Sequence, residues 1–147
     1  MNDYLTKWRC DMCGEDIESA DDGYVIWKSD AKSKEHGFKI IHAVKCDTSS
    51  SEYTMSSALN DFLGDRGLTI LLSKLSPGPI KGEQGEFGCQ IADLDEYVDF
   101  MRRVQTPHYE DARRHFKNSS LLDDYFDANE VAPYLPENLK RIVDRYS

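Results

Sequence analysis

Four residues in the first third of the chain, Cys10, Cys13, His42 and Cys46, constrain the fold more than any other feature. They read C-x2-C, then a gap of 28 residues (14–41), then H-x3-C, with Gly14 directly after the first pair. Two residues between Cys10 and Cys13 are enough to close a turn, and His42 and Cys46 can converge in the same way from a strand end or a helix start. Two close pairs of soft donors, separated by enough chain for a hairpin, match a tetrahedral zinc ion enclosed by protein. A structural zinc site needs all four positions filled, whereas a catalytic one keeps a position for water. The expected site is therefore structural, with Zn2+ held by Cys10, Cys13, His42 and Cys46.

Other readings of the same cysteines compete. A redox C-x2-C normally opens a helix after a strand, and no such pattern precedes Cys10. Disulfide pairing suits an oxidising compartment. Cys89 could take the place of His42 to give four cysteine ligands, although it lies far along the chain. The first four residues (Met-Asn-Asp-Tyr) lack the basic segment and apolar stretch of a secretory signal. No run approaches the roughly 20 apolar residues of a membrane helix. The expected location is the cytoplasm, where thiols stay reduced and clustered cysteines bind metal.

Strand and helix periods divide the chain. Tyr24-Val25-Ile26-Trp27 has the aromatic and β-branched composition of a strand, and Phe38 to Val44 that of a second, with Phe38, Ile40 and His42 on one face. Ser29 to Gly37 is a polar loop, and Asp47 to Ser51 a polar break. Beyond it the period becomes helical. Met55, Leu59, Phe62 and Leu63 predict a helix stopped by Gly64, and Leu68, Leu71, Leu72 and Leu75 a second, together an αα-hairpin. The pattern at Leu94, Tyr97, Val98, Met101 and Val104 is the clearest, with acids early and Arg102 and Arg103 late, as the helix dipole favours. Thr106-Pro107 predicts an N-cap and first turn for a helix to about Lys117. A short helix through Leu121, Leu122, Tyr125 and Phe126 and a last helix from Pro136 complete the expectation.

The turn Cys10-Asp11-Met12-Cys13-Gly14, followed by a hairpin and a second ligand pair, resembles the zinc knuckle of treble-clef and zinc-ribbon domains. The likeness covers about the first 50 residues and departs in the second pair, which in those families is more often another C-x2-C. It implies a scaffold and no activity of its own. The predicted architecture is α+β: a zinc-binding knuckle and β-hairpin over residues 1–50, then a helical region of four to five helices over 51–147, packed on the first as one unit.

Charge narrows the functions. With 147 residues and a net charge of −9, the chain is poorly suited to sequence-independent nucleic-acid binding, which depends on Lys and Arg. Only the hairpin of residues 28–45 leans basic, so Lys32, Lys34 and Lys39 define an alternative nucleic-acid-binding regulator. No nucleophile elbow, phosphate-binding loop or dinucleotide fingerprint occurs, and no catalytic residue is singled out. An enzyme remains a further alternative, with Arg102, Arg103 and His108 as its polar groups. His108 and His115, seven apart, cannot chelate one ion unaided. The Arg102-Arg103 and Arg113-Arg114 doublets are expected to pair with nearby acids. The leading expectation is a small zinc-binding protein that recognises a protein partner, one with a basic surface.

Overall fold

The computed structural model describes residues 5–46, 53–80, 88–118 and 133–146. In chain order these form β1 (Trp8–Arg9), β2 (Asp16–Ile17), β3 (Gly23–Ser29), β4 (Glu35–His42), β5 (Met55–Ala58), α1 (Gly64–Leu75), α2 (Leu94–Gln105), α3 (Tyr109–Arg113) and α4 (Pro136–Tyr146), with 3-10 turns at Ala20–Asp22 and Leu59–Phe62. Strands and helices together make the described residues α+β. Among the described residues no helix is long and apolar enough to cross a membrane.

β3 is the central strand of an antiparallel sheet ordered β4-β3-β5. Val25, Ile26 and Trp27 are buried in succession, because β3 has neighbours on both edges and cover on both faces. β4 pairs with it from Gly23 opposite His42 to Ser29 opposite Glu35, with a register shift between Ile26 and Lys28. The hairpin turn is therefore tighter than the polar loop expected over 29–37. Asp30 closes it by accepting from the backbone N–H groups of Lys32 and Lys34 at 2.8 Å each. Alternation places Trp27, Phe38, Ile40 and His42 on one face. There Phe38 stacks on Trp27 (5.4 Å between centroids) and on Phe100 of α2 (5.0 Å), and Tyr97 meets it edge-on at 5.2 Å.

The segment at 55–63 differs from the helix expected there. Met55–Ala58 is a strand on the free edge of β3, Tyr24 facing Ala58 and Trp27 facing Met55, and only Leu59–Phe62 winds into a 3-10 turn. Helical spacing of Met55, Leu59 and Phe62 is real, but Ser56 and Ser57 favour helix weakly, and the open hydrogen-bonding edge of β3 offers them partners. Gly64 begins α1 instead of ending a helix, so the expected αα-hairpin is absent from residues 55–75. Within α1, Leu71 is buried, while Leu68 and Leu72 stand in solvent.

Gly67 explains the close seat of α1. A Cβ there would lie 2.1 Å from the carbonyl carbon of Phe62, so only glycine lets the first turn pack on the 3-10 turn. α2 follows expectation, capped by the Asp93 carboxylate accepting from Glu96 N at 3.2 Å. α3 is shorter than the helix predicted from Pro107 to Lys117. Its N-cap is His108, in the left-handed region at φ 70°, so Thr106-Pro107 lies before the cap. α4 packs Leu139 and Ile142 against Tyr109 and Ala112 in a second, smaller core. The helix expected at 121–126 lies outside the described residues.

Substituting Gly67→Ala is expected to lower stability by about 1–3 kcal/mol through this overlap. The exposed α1 substitution Ser73→Ala should change it by less than about 0.5 kcal/mol. Urea unfolding of both variants at one pH checks the contrast.

Candidate metal centre

The first ligand pair sits on a turn between β1 and β2. Cys10 N donates to Glu15 O at 2.9 Å and Gly14 N to Cys10 O at 3.0 Å, which draws Cys10 and Cys13 to one side of the loop. Gly14 supplies the positive φ of 77° that this reversal requires. The second pair comes from the end of β4: His42 is the last strand residue, and Cys46 N donates back to His42 O at 3.4 Å. Ala43 N, held by Asp22 O at 2.8 Å, fixes the chain as it leaves the sheet.

These turns bring the sulfurs of Cys10, Cys13 and Cys46 and a ring nitrogen of His42 within 4.8 Å of one another. Nδ1 of His42 lies 3.4 Å from Cys13 Sγ and 3.5 Å from Cys46 Sγ. A tetrahedral ion with bonds of about 2.3 Å to sulfur and about 2.0–2.1 Å to nitrogen has sulfur–nitrogen edges of about 3.5 Å. The two separations from His42 Nδ1 to sulfur are those that such an ion would give. The other ring nitrogen, Nε2, is 3.1 Å from the Asp16 carbonyl. That oxygen can only accept, so Nε2 carries the proton and Nδ1 presents its lone pair to the cluster.

The thiols reinforce this reading. Burial opposes ionisation of Cys10, yet N–H groups around it, including those of Cys13, Met12 and His42, outweigh burial and lower its pKa to about 6. Burial raises Cys46 to about 11, aided by hydrogen bonding and repulsion from Cys10 and Cys13. One thiolate is favoured and the next is resisted. Metal ligation takes thiolates, so a bound cation would offset the repulsion felt at Cys46.

Asp11, inside C-x2-C, is not a ligand, yet it ties the turn down. Its N–H donates to Ile40 O at 2.8 Å, and its Oδ2 accepts from Ile40 N at 2.8 Å and from Arg103 of α2 at 2.7 Å. Arg103 is 2% exposed. Its Nε donates to Glu110 at 2.9 and 3.0 Å, and its second terminal nitrogen to Glu110 at 2.8 Å and to Arg9 O at 3.0 Å. Burial disfavours its charge, but Glu110 and Asp11 more than compensate and hold the guanidinium protonated. Burial pushes the Glu110 carboxyl up against the pull of Arg103. On the β1 side, the Trp8 indole donates to Arg103 O at 3.0 Å.

The remaining sequence candidates fall elsewhere. Cys89 is exposed and outside the cluster, its sulfur 3.8 Å from Ile91 O. All four cysteines are free, and Cys10 follows a strand into a turn, without the helix of a redox pair. Arg103 spends its donors on Asp11, Glu110 and Arg9, while Arg102 lies over the Tyr134 ring at 4.2 Å. Arg113 pairs with Asp99 at 2.9 Å and Arg114 with Asp16 at 3.5 Å, acids distant in sequence, while the Arg114–Asp111 pair at 3.9 Å is of the helix-neighbour kind expected of the doublets. Arg102 and Arg103 thus have different partners, and His108 is the N-cap residue of α3. Asp11, Asp16 and Glu110 were missed in the sequence; an acid between two ligand cysteines was the one local signal.

Alkylation of the native, metal-loaded chain should modify Cys89 rapidly and spare Cys10, Cys13 and Cys46, giving one adduct by intact mass. Chelation followed by denaturation should give adducts at all four cysteines.

Comparison of the chain with protein-family models, with curated proteins and with solved structures found no match in any of the three. The functional reading accordingly rests on the chain's own geometry.

Proposed function

We propose that this chain is a small cytoplasmic zinc-binding protein whose metal is structural and which acts by recognising another protein. The observation that carries the reading is the donor set: three sulfurs and one Nδ1 within 4.8 Å, from Cys10, Cys13, His42 and Cys46. Soft thiolates with one imidazole in a tetrahedral arrangement favour zinc among common divalent ions. Four protein donors leave no position for a reactive water, so the ion would hold structure and not activate substrate. The C-x2-C-G turn between β1 and β2, with the second pair at the end of β4, is consistent with a zinc knuckle.

A net charge of −9 suits a partner with a basic surface. The nucleic-acid alternative has less support. Lys34 donates to Cys89 O, Lys45 pairs with Glu15, and Lys28 lies 4.9 Å from the centre of the Tyr53 ring. The basic hairpin thus spends much of its charge within the molecule.

Metal analysis of the purified protein is expected to give one zinc per chain, and Cys13→Ser should lose it. A Cys13→Ser chain that folds normally and keeps stoichiometric zinc contradicts the metal reading. For the partner, capture from native cells should retain a protein on the loaded chain and lose it after chelation; equal capture by both forms counts against a metal-supported surface. No retardation of DNA or RNA is expected at low salt. Salt-sensitive retardation abolished by Lys32→Glu, Lys34→Glu and Lys39→Glu together would establish the alternative.

A further inference from the structure

The first ligand pair is held by more than its own turn. Asp11 and Ile40 exchange two hydrogen bonds, Asp11 N to Ile40 O and Ile40 N to Asp11 Oδ2, each 2.8 Å. This clamp fastens the Cys10–Cys13 turn to β4 two residues before His42, so one short stretch of backbone sets the separation of both ligand pairs. The same Oδ2 receives Arg103 at 2.7 Å. The Asp11 side chain is only 19% exposed and the Arg103 side chain 2%, so neither charge is well hydrated.

We propose that Arg103 is a positioning residue for the metal site, acting through Asp11, and that metal affinity is therefore coupled to the Asp11–Arg103–Glu110 chain of ion pairs and not to α2–α3 packing at large. This rests on the reading of Cys10, Cys13, His42 and Cys46 as metal ligands. Without Arg103 the Asp11 carboxylate is left partly buried and unpaired, and it relaxes by turning toward water. That movement opens the clamp on Ile40, and the ligand pairs must then be brought together at the expense of the ion's own binding. Residues that orient ligands from behind typically contribute about 10–100-fold to metal affinity. By linkage, metal bound at the knuckle stabilises the Arg103–Glu110 contacts of α2 and α3 to the same extent. A second thread runs beside it: Asp16 accepts from His42 through its carbonyl and pairs with Arg114 through its carboxylate.

Cobalt(II) titration, read by thiolate charge-transfer and tetrahedral d–d absorption with a competing chelator, tests the coupling. The chains compared are wild type, Asp11→Asn, Arg103→Met, the double variant and Arg113→Gln. Arg113→Gln breaks the Asp99 pair, which joins α2 to α3 without touching the knuckle. Asp11→Asn and Arg103→Met should each weaken cobalt binding by about 10–100-fold. The double variant should lose no more than the weaker single variant, because both remove one linkage. Arg113→Gln should stay within about twofold of wild type. Wild-type affinity in folded Asp11→Asn, multiplicative losses in the double variant, or an equal loss in Arg113→Gln would each overturn the proposal. Should Arg103→Met fail to fold, Asp11→Asn against Arg113→Gln decides it. A wild-type chain with no tetrahedral cobalt spectrum overturns the metal reading itself.

Discussion

The buried guanidinium of Arg103 is where the separate parts of the chain meet. Its donors reach Asp11 and Arg9 O in the knuckle and Glu110 on α3, all from α2. A buried ion pair of this kind gains little net free energy, since desolvation offsets most of the Coulomb attraction. Its effect is geometric. The planar guanidinium accepts only one arrangement of Asp11, Glu110 and Arg9, so α2 and α3 have one seat against the knuckle. Breaking the pair from either side leaves a buried charge uncompensated, at a cost of about 3–5 kcal/mol.

A knuckle of this size needs that support. β1 and β2 have two residues each, too short to hold a turn in register by hydrogen bonds alone. Three agents act on it together. Trp8, Cys10 and Ile17 are buried in the main core with Phe38 and Phe100, Arg103 and Ile40 fix Asp11, and Cys10, Cys13, His42 and Cys46 are placed to hold the proposed ion. Affinities for structural zinc correspond to about 10–16 kcal/mol in small domains. Under this account the metal is the strongest of the three and the ion-pair network sets where that energy is felt.

Local chemistry made much of this legible. The convergence of Cys10, Cys13, His42 and Cys46 depends on two tight turns, both written in adjacent residues, so the cluster could be read directly. The strand character of residues 24–27 and 38–42 and the dipole pattern of α2 are equally local. What escaped was set by distant partners. Met55, Leu59 and Phe62 have helical spacing, and only the unpaired edge of β3 makes residues 55–58 a strand. Gly64 reads as a helix stop until α1 is seen to need Gly67 against the Phe62 backbone. The Arg102-Arg103 doublet was read as ordinary helix-end charge, yet Arg103 meets an acid 92 residues earlier in the chain, a pairing no local pattern encodes.

Equilibrium unfolding in urea at a series of buffered free zinc concentrations tests the central claim most directly. A metal that binds only the folded chain must raise its stability by about 1.4 kcal/mol for each tenfold rise in free zinc above the dissociation constant. The account predicts that slope for the wild type and its absence in Cys13→Ser. A wild-type unfolding midpoint that does not move across the zinc series would contradict it.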